Sequence, residues 1–512
     1  MTYFDFDSGV WERIVSLLEY DASSPMTLAS GFFLFAYLIF GLGYLVVRKR
    51  VNLRTLYVVL FSLYFYYKLS GVYLQLLIVI AASDFLIGLM VAKSKARGGS
   101  TRWWVALSVA INLSILTYFK ATGFFSEVVN DIWGAGTFDI GRVVVPAGVS
   151  FFVFQSIAYV VDISRGVIAP LKRFSEYLFL LSFFPKMFLG PLVKAREFIP
   201  QIQSRDISVS KEDMGRAVKL IAGGLIKYAV LSRALDALFV TPAFNGELGD
   251  GGVVALMAIY GFTIRIYCDF SGYSDMAVGV ALLLGFRLPD NFDAPYHSAT
   301  ITEFWRRWHI SLSTWLREYL YISLGGNRRG ALMTYLNLFI TMLLGGLWHG
   351  VGMTFIIWGA LHGIALALHK VWLKFVPNAR KVGSEMRLWW RIPATLFTFH
   401  LVALGWLFFA ARDMEQATTL LHNIAYNFAA EDIVSVVGSS GVAFVIMGIG
   451  YLMHALPRKA DVLWCRIITR SGLIGQALVI IIAIWMVMQC DAMLAANLGA
   501  EAASGLPMYA EF

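Results

Sequence analysis

This sequence contains few charged residues. Asp, Glu, Lys and Arg together make up 15% of its 512 residues, whereas soluble domains carry about 25%. Cysteine is also scarce, and Cys268, Cys465 and Cys490 follow no metal-binding or disulfide spacing. We therefore expect three buried apolar side chains there. The two shortages argue against a soluble enzyme and against a fold held by disulfides or by cysteine-bound metal.

The first residues lack the pattern of a cleavable signal peptide. A signal peptide begins with basic residues that are followed by an apolar core. Here the chain begins MTYFDFDSGVWERIVSLLEYDASS, which is acidic. We therefore expect this stretch to stay in the protein, and its acidic charge favours an extracytoplasmic N-terminal segment over residues 1–27.

Long apolar runs are abundant instead, since hydrophobic residues make up 58% of the chain and the mean hydropathy is +0.68. Runs of about 17–25 apolar residues are typical of helices that cross a bilayer, and they are too long for barrel strands. An open sheet would leave backbone polar groups in lipid. We therefore predict an all-α polytopic membrane protein. The predicted spans are 28–47, 54–67, 70–92, 103–121, 143–163, 215–239, 253–268, 272–287, 333–349, 352–373, 391–411, 440–456 and 471–490.

Basic and acidic loops alternate along the chain. Cytoplasmic loops of membrane proteins carry an excess of lysine and arginine, which places both termini outside, together with residues 491–512. The net charge of +9 then reflects topology, and we expect no nucleic-acid partner. The basic loops contain Arg48, Lys49, Arg50 and Arg54; Lys93, Lys95, Arg97 and Arg102; Lys172 and Arg173; and Arg458, Lys459, Arg466 and Arg470.

The segment 176–198 breaks this alternation. It is apolar, yet basic loops flank it on both sides, and Pro185, Gly190 and Pro191 interrupt it. Irregular backbone at membrane depth is tolerated only against protein or a water-filled cavity. We predict a broken, re-entrant element here, with an ordinary span kinked by proline as the alternative.

Arginines and tryptophans are concentrated in FWRRWHISLSTWLREYLYISLGGNRRG, residues 304–330. An interfacial helix would place the tryptophans at headgroup depth and the arginines on lipid phosphates. Alternatively, the arginines line a cytoplasmic pocket for an anionic, phosphate-rich ligand such as coenzyme A. The pattern alone leaves both interpretations open.

His349 ends the apolar run in LLGGLWHGVGMTFIIWGALHG, residues 343–363. A histidine at membrane depth beside a helix break is a functional candidate, and a neutral imidazole can take a proton from a hydroxyl. His309 is the second candidate, so one of the two would act as base and the other as an orienting group. For His362 a structural role is favoured.

Two carboxylates, Asp269 and Asp275, lie in YCDFSGYSDMAVGVALLLGF, residues 267–286. Buried carboxylates are costly and usually pair with a cation or cap a helix. We interpret this stretch as a turn between two spans, with Ser271 and Ser274 as helix caps.

Four stretches together resemble the membrane-bound O-acyltransferase superfamily, in the branch of alginate O-acetylase-like and peptidoglycan O-acetyltransferase-like proteins. They occur in the order expected for that family. The resemblance covers residues 28–410, which we treat as the core, and 411–490 would add C-terminal membrane helices. The stretches are VPAGVSFFVFQSIAYVVDISRG, YCDFSGYSDMAVGVALLLGF, ITEFWRRWHISLSTWLREYLYISLGGNRRG and LGGLWHGVGMTFIIWGALHG.

The resemblance implies a ring of about 11 to 13 transmembrane helices around a thinned centre. A tunnel there would join a cytoplasmic donor to an acceptor outside. His349 matches the presumed catalytic histidine of the family's tryptophan–histidine–glycine motif, and His309 matches the histidine of its RRWH motif. The implied donor-binding residues are Trp305, Arg306, Arg307 and Arg317, and the implied tunnel-lining residues are Gly346, Trp348 and Asp275.

The function implied by the resemblance is O-acetylation of a cell-surface polysaccharide by an enzyme of the bacterial cytoplasmic membrane. Acetyl-CoA or another acyl thioester would be the donor substrate, with no resident cofactor or metal. A separate extracytoplasmic partner resembling SGNH hydrolases is implied, because the chain shows no hydrolase-like domain with a nucleophilic serine. Alginate, peptidoglycan and other exopolysaccharides all stay open as acceptors.

Two other functions stay open beside this one. An acyltransferase that acts directly on a lipid or a protein would use the same residues. A proton-coupled transporter or channel would use His309 and His349 as a relay. Such a transporter favours polar residues in several spans or paired inverted repeats, and the sequence shows neither.

The C-terminal residues GLPMYAEF include Tyr509. A frayed terminus is one interpretation. The other is an acyl relay through the Tyr509 hydroxyl, since a covalent relay divides one difficult step into two easier ones. Relatives in this branch often carry a tyrosine at a similar place, which makes Tyr509 a candidate.

Overall fold

The computed structural model describes residues 8–134, 143–376 and 387–498. Within those ranges every regular element is a helix and none is a strand, which confirms the predicted all-α class. Three π-helical segments occupy Ile226–Ser232, Asp236–Val240 and Leu316–Tyr321. The α-helices are α1 (Ser8–Leu18), α2 (Gly31–Val47), α3 (Val51–Ser70), α4 (Leu74–Ala96), α5 (Arg102–Trp133), α6 (Val149–Arg165), α7 (Phe174–Ser182), α8 (Ala195–Gln203), α9 (Lys211–Leu225), α10 (Arg233–Leu235), α11 (Thr241–Phe244), α12 (Gly252–Leu283), α13 (Ile301–Arg307), α14 (Ile310–Trp315), α15 (Ala331–His349), α16 (Met353–Phe375), α17 (Leu388–Ala410), α18 (Met414–Tyr426), α19 (Asp432–Ser439), α20 (Gly441–Ala455), α21 (Arg458–Arg470) and α22 (Gly472–Leu498).

Seven helical runs in the described ranges are long and apolar enough to cross a bilayer, or eight if α19 and α20, which meet at a 92° bend, form one span. The chain is therefore a multi-pass membrane protein, as predicted. The first run contains two predicted spans, because Gly71 (φ 57°) separates α3 from α4 in a conformation that suits glycine. The runs are Val51–Ala96, Arg102–Asn130, Gly252–Leu283, Ala331–His349, Met353–Phe375, Leu388–Ala410 and Gly472–Asn497.

The predicted turn between spans 253–268 and 272–287 is wrong, because α12 is one continuous helix of 32 residues. Lys227, from the neighbouring π-helical segment, forms an ion pair with Asp275 (2.6 Å) and donates to Ser271 Oγ (3.0 Å). The carboxylate is thus neutralised across the helix interface, and neither Ser271 nor Ser274 caps a helix end. A single crossing also carries the following residues to the side opposite the acidic loop before α12, which is the basic side of the charge pattern.

The predicted break in 176–198 is confirmed. Helix α7 ends at Ser182, the backbone is irregular over 183–194, and α8 starts at Ala195. Every residue in 177–193 is buried, so this backbone lies against protein and not against lipid. Two serine hydroxyls accept hydrogen bonds from its amides: Ser62 from Phe184 (3.2 Å) and Ser311 from Leu192 (3.0 Å).

Helix α6 lies beside this segment in the protein interior. Every residue from Val149 to Val160 is buried, and the helix is apolar on almost all sides, which is typical of a core helix. Lys186, in the irregular segment, is buried as well and donates a hydrogen bond to Gln155 of α6 (2.5 Å). The two elements therefore form one buried layer in the middle of the protein.

Candidate active site

His349 is the last residue of α15, and the backbone turns to an extended conformation at Gly350 (φ −168°). Helices α15 and α16 touch at backbone level here, since a Cβ on Gly346 would lie 2.4 Å from the Phe355 carbonyl oxygen. The His349 ring is buried between Trp348, Trp358 and Phe409, with ring centroids 4.6, 5.2 and 5.1 Å away. Packing thus fixes the imidazole at the helix end.

A small outer cavity of about 20 Å³ adjoins His349. It has room for about one water-sized group. Trp348 lines it together with His349, and the rest of the wall comes from residues 145–151, at the start of α6, and from the irregular segment. Those wall residues are Val145, Pro146, Gly148, Val149, Ser150, Phe151, Phe188 and Leu189.

Lys120 of α5 is a site residue that the sequence reasoning missed. Its ammonium donates to the carbonyl oxygens of Trp348 (2.6 Å) and His349 (3.2 Å), and it lies 5.3 Å from the centre of the Trp348 ring. The last carbonyls of a helix have no partner within the helix, and a cation there also suits the helix dipole. The signal was present in the sequence, because an ionisable residue inside an apolar span is by default a functional candidate.

His309 lies between α13 and α14 in the left-handed region (φ 42°), which an L-residue adopts at a conformational cost. Its Nδ1 lies 3.1 Å from Asn291 Oδ1, and that oxygen also accepts hydrogen bonds from the backbone amide and hydroxyl of Ser311 (3.2 and 2.9 Å). Asn291 Nδ2 donates to Ser274 (3.2 Å), which fixes the amide. Asn291 was not predicted from the sequence.

This network fixes the tautomer of His309. Because Asn291 Oδ1 only accepts, Nδ1 carries the proton and Nε2 keeps its lone pair. Within the described part of the chain Nε2 is buried and has no hydrogen-bond partner. Burial lowers the pKa of His309 to about 3, so the imidazole is neutral near pH 7 and available as a hydrogen-bond acceptor.

In the structure the two predicted histidines lie beside one aromatic pair, Phe151 and Trp348. The Phe151 ring lies 6.3 Å from His309 and 6.0 Å from Trp348, and Trp348 lies 4.6 Å from His349. Phe270 closes the other side of His309 at 4.6 Å. His309 and His349 thus flank the same aromatic layer.

A second, larger cavity of about 150 Å³, called here the inner cavity, is lined by Trp315 and Ser311 among others. The Trp315 ring stacks on Phe154 (3.9 Å), and Phe154 stacks on Trp348 (5.2 Å), so three aromatic rings separate the inner cavity from the outer one. Ser311 lines the inner cavity and links it to the Asn291–His309 network. The other lining residues are Gln155, Ala158, Leu192, Val193, Lys194, Glu197, Pro289, Ile310, Thr314, Trp315 and Tyr319.

The predicted donor-binding arginines lie outside both cavities. Arg307 forms an ion pair with the buried Glu303 (2.7 Å), whereas Arg306 is exposed. Arg317 is also exposed and lies 3.7 Å from Glu318. No described residue of this set lines the inner or the outer cavity, so their donor-binding role stays a prediction.

Three further candidates lie apart from the two histidines. Asp275, predicted to line the tunnel, is partly exposed and ion-paired with Lys227. Trp305, the fourth predicted donor-binding residue, packs against Trp358 and His362. His362 is buried, in keeping with a structural role. Tyr509 lies outside the described residues.

The chain resembles known proteins in sequence. A family model described as MBOAT, membrane-bound O-acyltransferase family, matches residues 163–392, which include both histidines. A probable alginate O-acetylase of Pseudomonas putida is 38% identical over 403 residues, covering 77% of this chain and 79% of its own length. A peptidoglycan O-acetyltransferase of Helicobacter pylori is 35% identical over 418 residues, covering 76% and 78%.

A teichoic acid D-alanyltransferase of Bacillus subtilis is more distant. It is 28% identical over 283 residues, covering 52% of this chain and 68% of its own length. The chain is thus also similar to an enzyme that is named for a different acyl group. The membrane helices, the paired histidines and these relatives agree, and the chain belongs to the membrane-bound O-acyltransferase family.

Proposed function

We propose that this acyltransferase moves acetyl from cytoplasmic acetyl-CoA across the bacterial cytoplasmic membrane for O-acetylation of a cell-surface polysaccharide. An extracytoplasmic partner with a nucleophilic serine, of the SGNH-hydrolase kind, would complete the transfer. The observation that carries the proposal is the pair of buried histidines around an aromatic layer between two cavities. Relatives named as acetylating alginate and peptidoglycan support the acyl group and the class of acceptor.

In the proposed reaction, His349 accepts the proton of an acceptor hydroxyl as the oxygen attacks the acetyl carbonyl carbon. The new C–O ester bond forms, the thioester C–S bond breaks, and the thiolate of coenzyme A takes up a proton. A neutral imidazole suits this role, since general bases work from their unprotonated form. His309, with Nε2 as an acceptor, would orient a hydroxyl, a water molecule or the thiol on the inner side.

The test is acetyl transfer by the purified protein in lipid nanodiscs with radiolabelled acetyl-CoA. We expect thiol release that depends on the protein and label in the polysaccharide when acceptor and partner are both supplied. A proton-coupled transporter would instead move protons without consuming acetyl-CoA. Label in lipid or in protein alone would favour a direct lipid or protein acyltransferase.

Arg306 and Arg307 should respond differently to removal. If Arg306 binds a phosphate of the donor, Arg306→Ala should raise the KM for acetyl-CoA about tenfold or more, since a charge-assisted contact with phosphate contributes about 1.5–3 kcal/mol, and kcat should hold. Arg307→Ala should also destabilise the protein, because it leaves the Glu303 carboxylate buried without its partner. Steady-state kinetics and thermal unfolding in detergent measure the two effects. A fall in kcat alone for Arg306→Ala contradicts the donor-binding role.

Lys120→Met should lower kcat about tenfold or more, because the loss of one charge-assisted hydrogen bond costs about 1.5–3 kcal/mol and frees the end of α15. The KM for acetyl-CoA should stay unchanged, since the Lys120 ammonium donates to the carbonyls of the helix end and lines neither cavity. Lys120→Arg keeps the charge and should retain much of the activity. A Met variant with normal kcat, or with a raised KM alone, contradicts a positioning role.

Tyr509→Phe keeps the aromatic ring and removes only the hydroxyl. If Tyr509 relays the acyl group, polysaccharide acetylation is lost while protein level and partner binding stay normal. Mass spectrometry of the C-terminal peptide, with acetyl-CoA supplied and the partner omitted, should then show an acetyl group on Tyr509. An active Phe variant favours direct transfer to the partner.

A further inference from the structure

A second basic feature is formed by residues outside the segment 304–330. A cleft of about 1190 Å³ opens between the α2–α3 loop, the α6–α7 loop and α8. It is at the large end of the range for small-molecule sites. The charged residues that line it are Lys49, Arg50, Lys172, Arg173, Glu176, Arg196 and Arg205.

The charge of this basic cleft is almost uncompensated. Glu176 is its one carboxylate, and that side chain already accepts a hydrogen bond from Gln203 (2.7 Å). Arg196 lies 3.6 Å from Glu318. Across the described residues the other five cations form no ion pair, and all five are exposed. Several cations without counter-charges around one concave surface attract a polyanion.

The start of α8 forms part of the wall of both the basic cleft and the inner cavity. Arg196 lines the cleft, whereas its neighbours Lys194 and Glu197 line the inner cavity. Lys194 and Arg196 both approach Glu318 (2.6 and 3.6 Å), so one carboxylate holds the two linings together. The cleft and the inner cavity are therefore neighbours on either side of the start of α8, and Trp315 lines the inner cavity.

We propose that the basic cleft binds the phosphate groups of the acyl donor's nucleotide while the pantetheine arm enters the inner cavity. The inference rests on the proposed function for the identity of the donor. Coenzyme A carries a ribose 3′-phosphate and a diphosphate, and arginine and lysine bind such groups by charge-assisted hydrogen bonds. Its charge lies at one end and its thioester at the other, matching a basic cleft beside a largely apolar cavity.

Anionic lipid headgroups carry the same phosphate chemistry. The charge pattern predicts that the cleft faces the cytoplasm at the membrane surface, where such lipids concentrate. The position beside α8 and the inner cavity favours the donor, because a lipid would need no connection to that cavity. Binding measured in nanodiscs of neutral lipid and of anionic lipid distinguishes the donor from lipid headgroups as the source of the phosphate.

The test is equilibrium binding of adenosine 3′,5′-bisphosphate to the full-length protein in phosphatidylcholine nanodiscs at fixed ionic strength. The variant is K172Q/R205Q, which removes two exposed cations that form no ion pair in the described structure. We expect its Kd to rise about a hundredfold or more, since two charge-assisted hydrogen bonds are lost and each contributes about tenfold or more. Lys459→Gln removes an exposed cation outside the cleft and should leave the Kd unchanged.

Kinetics with two donors provide the second measurement. The double variant should raise the KM for acetyl-CoA by a similar factor and leave both kcat and the KM for S-acetylpantetheine unchanged, because that donor lacks the nucleotide. Equal nucleotide binding by variant and wild type overturns the proposal, and so does an equal rise in KM for both donors. Loss of bound phosphatidylglycerol in the variant, with nucleotide binding intact, assigns the cleft to lipid and also overturns it. Weaker nucleotide binding without acetyl transfer by either protein sinks the proposed function and leaves the nucleotide site standing.

Discussion

His349→Ala is expected to abolish acyl transfer while the protein stays folded. General base catalysis contributes about 10²–10⁴-fold to a rate, so the residual activity should lie at least about a hundredfold below wild type. The imidazole borders an existing cavity of about 20 Å³, and enlarging a cavity costs less where the walls can relax. Release of thiol from acetyl-CoA and thermal unfolding in detergent measure the two halves of the prediction.

Two companion variants make this result specific. His349→Gln keeps a polar side chain but removes the imidazole, and it should be as inactive as the alanine variant. His422→Ala removes an exposed histidine on α18 and should leave the rate unchanged. A near-normal rate in either His349 variant would show that another group takes the proton.

The second large effect is expected at His309. His309→Asn removes the imidazole and tolerates the left-handed backbone conformation better than alanine does, so folding should be preserved. We expect kcat to fall about a hundredfold, with measurable activity remaining if His309 orients and does not take the proton in the chemical step. His309→Ala adds backbone strain and should be less stable at a similar rate.

Asn291 provides the control for this assignment. Asn291→Leu removes the acceptor that holds the Nδ1 proton and leaves the Ser311 donors unpaired, so it should lower both kcat and stability. If His309 acts through its tautomer, the two variants should lower kcat to a similar extent. Normal kcat in Asn291→Leu would show that the tautomer does not matter for the reaction.

Local patterns predicted most of the fold and both histidines. The broken segment after α7 was readable from Pro185, Gly190 and Pro191, because proline and glycine close together disfavour a continuous helix. The histidines were readable because a titratable ring in an apolar stretch is unusual. Each of these signals depends on neighbouring residues in the sequence, so it can be read without knowing the fold.

Long-range partners explain what the sequence did not reveal. Asp275 suggested a turn because its cation, Lys227, lies 48 residues away, and only the folded chain pairs them. Lys120 escaped notice because the carbonyls that it binds belong to residues 228 and 229 positions later. Asn291 showed no pattern of its own, since its role arises from the four hydrogen-bonding groups of His309, Ser311 and Ser274 that folding brings around its amide.

The stacked rings of Trp315, Phe154 and Trp348 also bear on the energy supply of the cell. A continuous water column between the two cavities would leak protons and discharge the membrane. In the proposed transfer path, stacked rings leave no space for water between them and would interrupt that column. Each elementary charge that crosses such a layer exchanges about 2.3 kcal/mol with a potential of 100 mV, so a reaction that moved net charge would be coupled to the membrane voltage. In the proposed reaction an acetyl group replaces the proton of the acceptor hydroxyl and the coenzyme A thiolate takes up a proton, so the exchange moves no net charge.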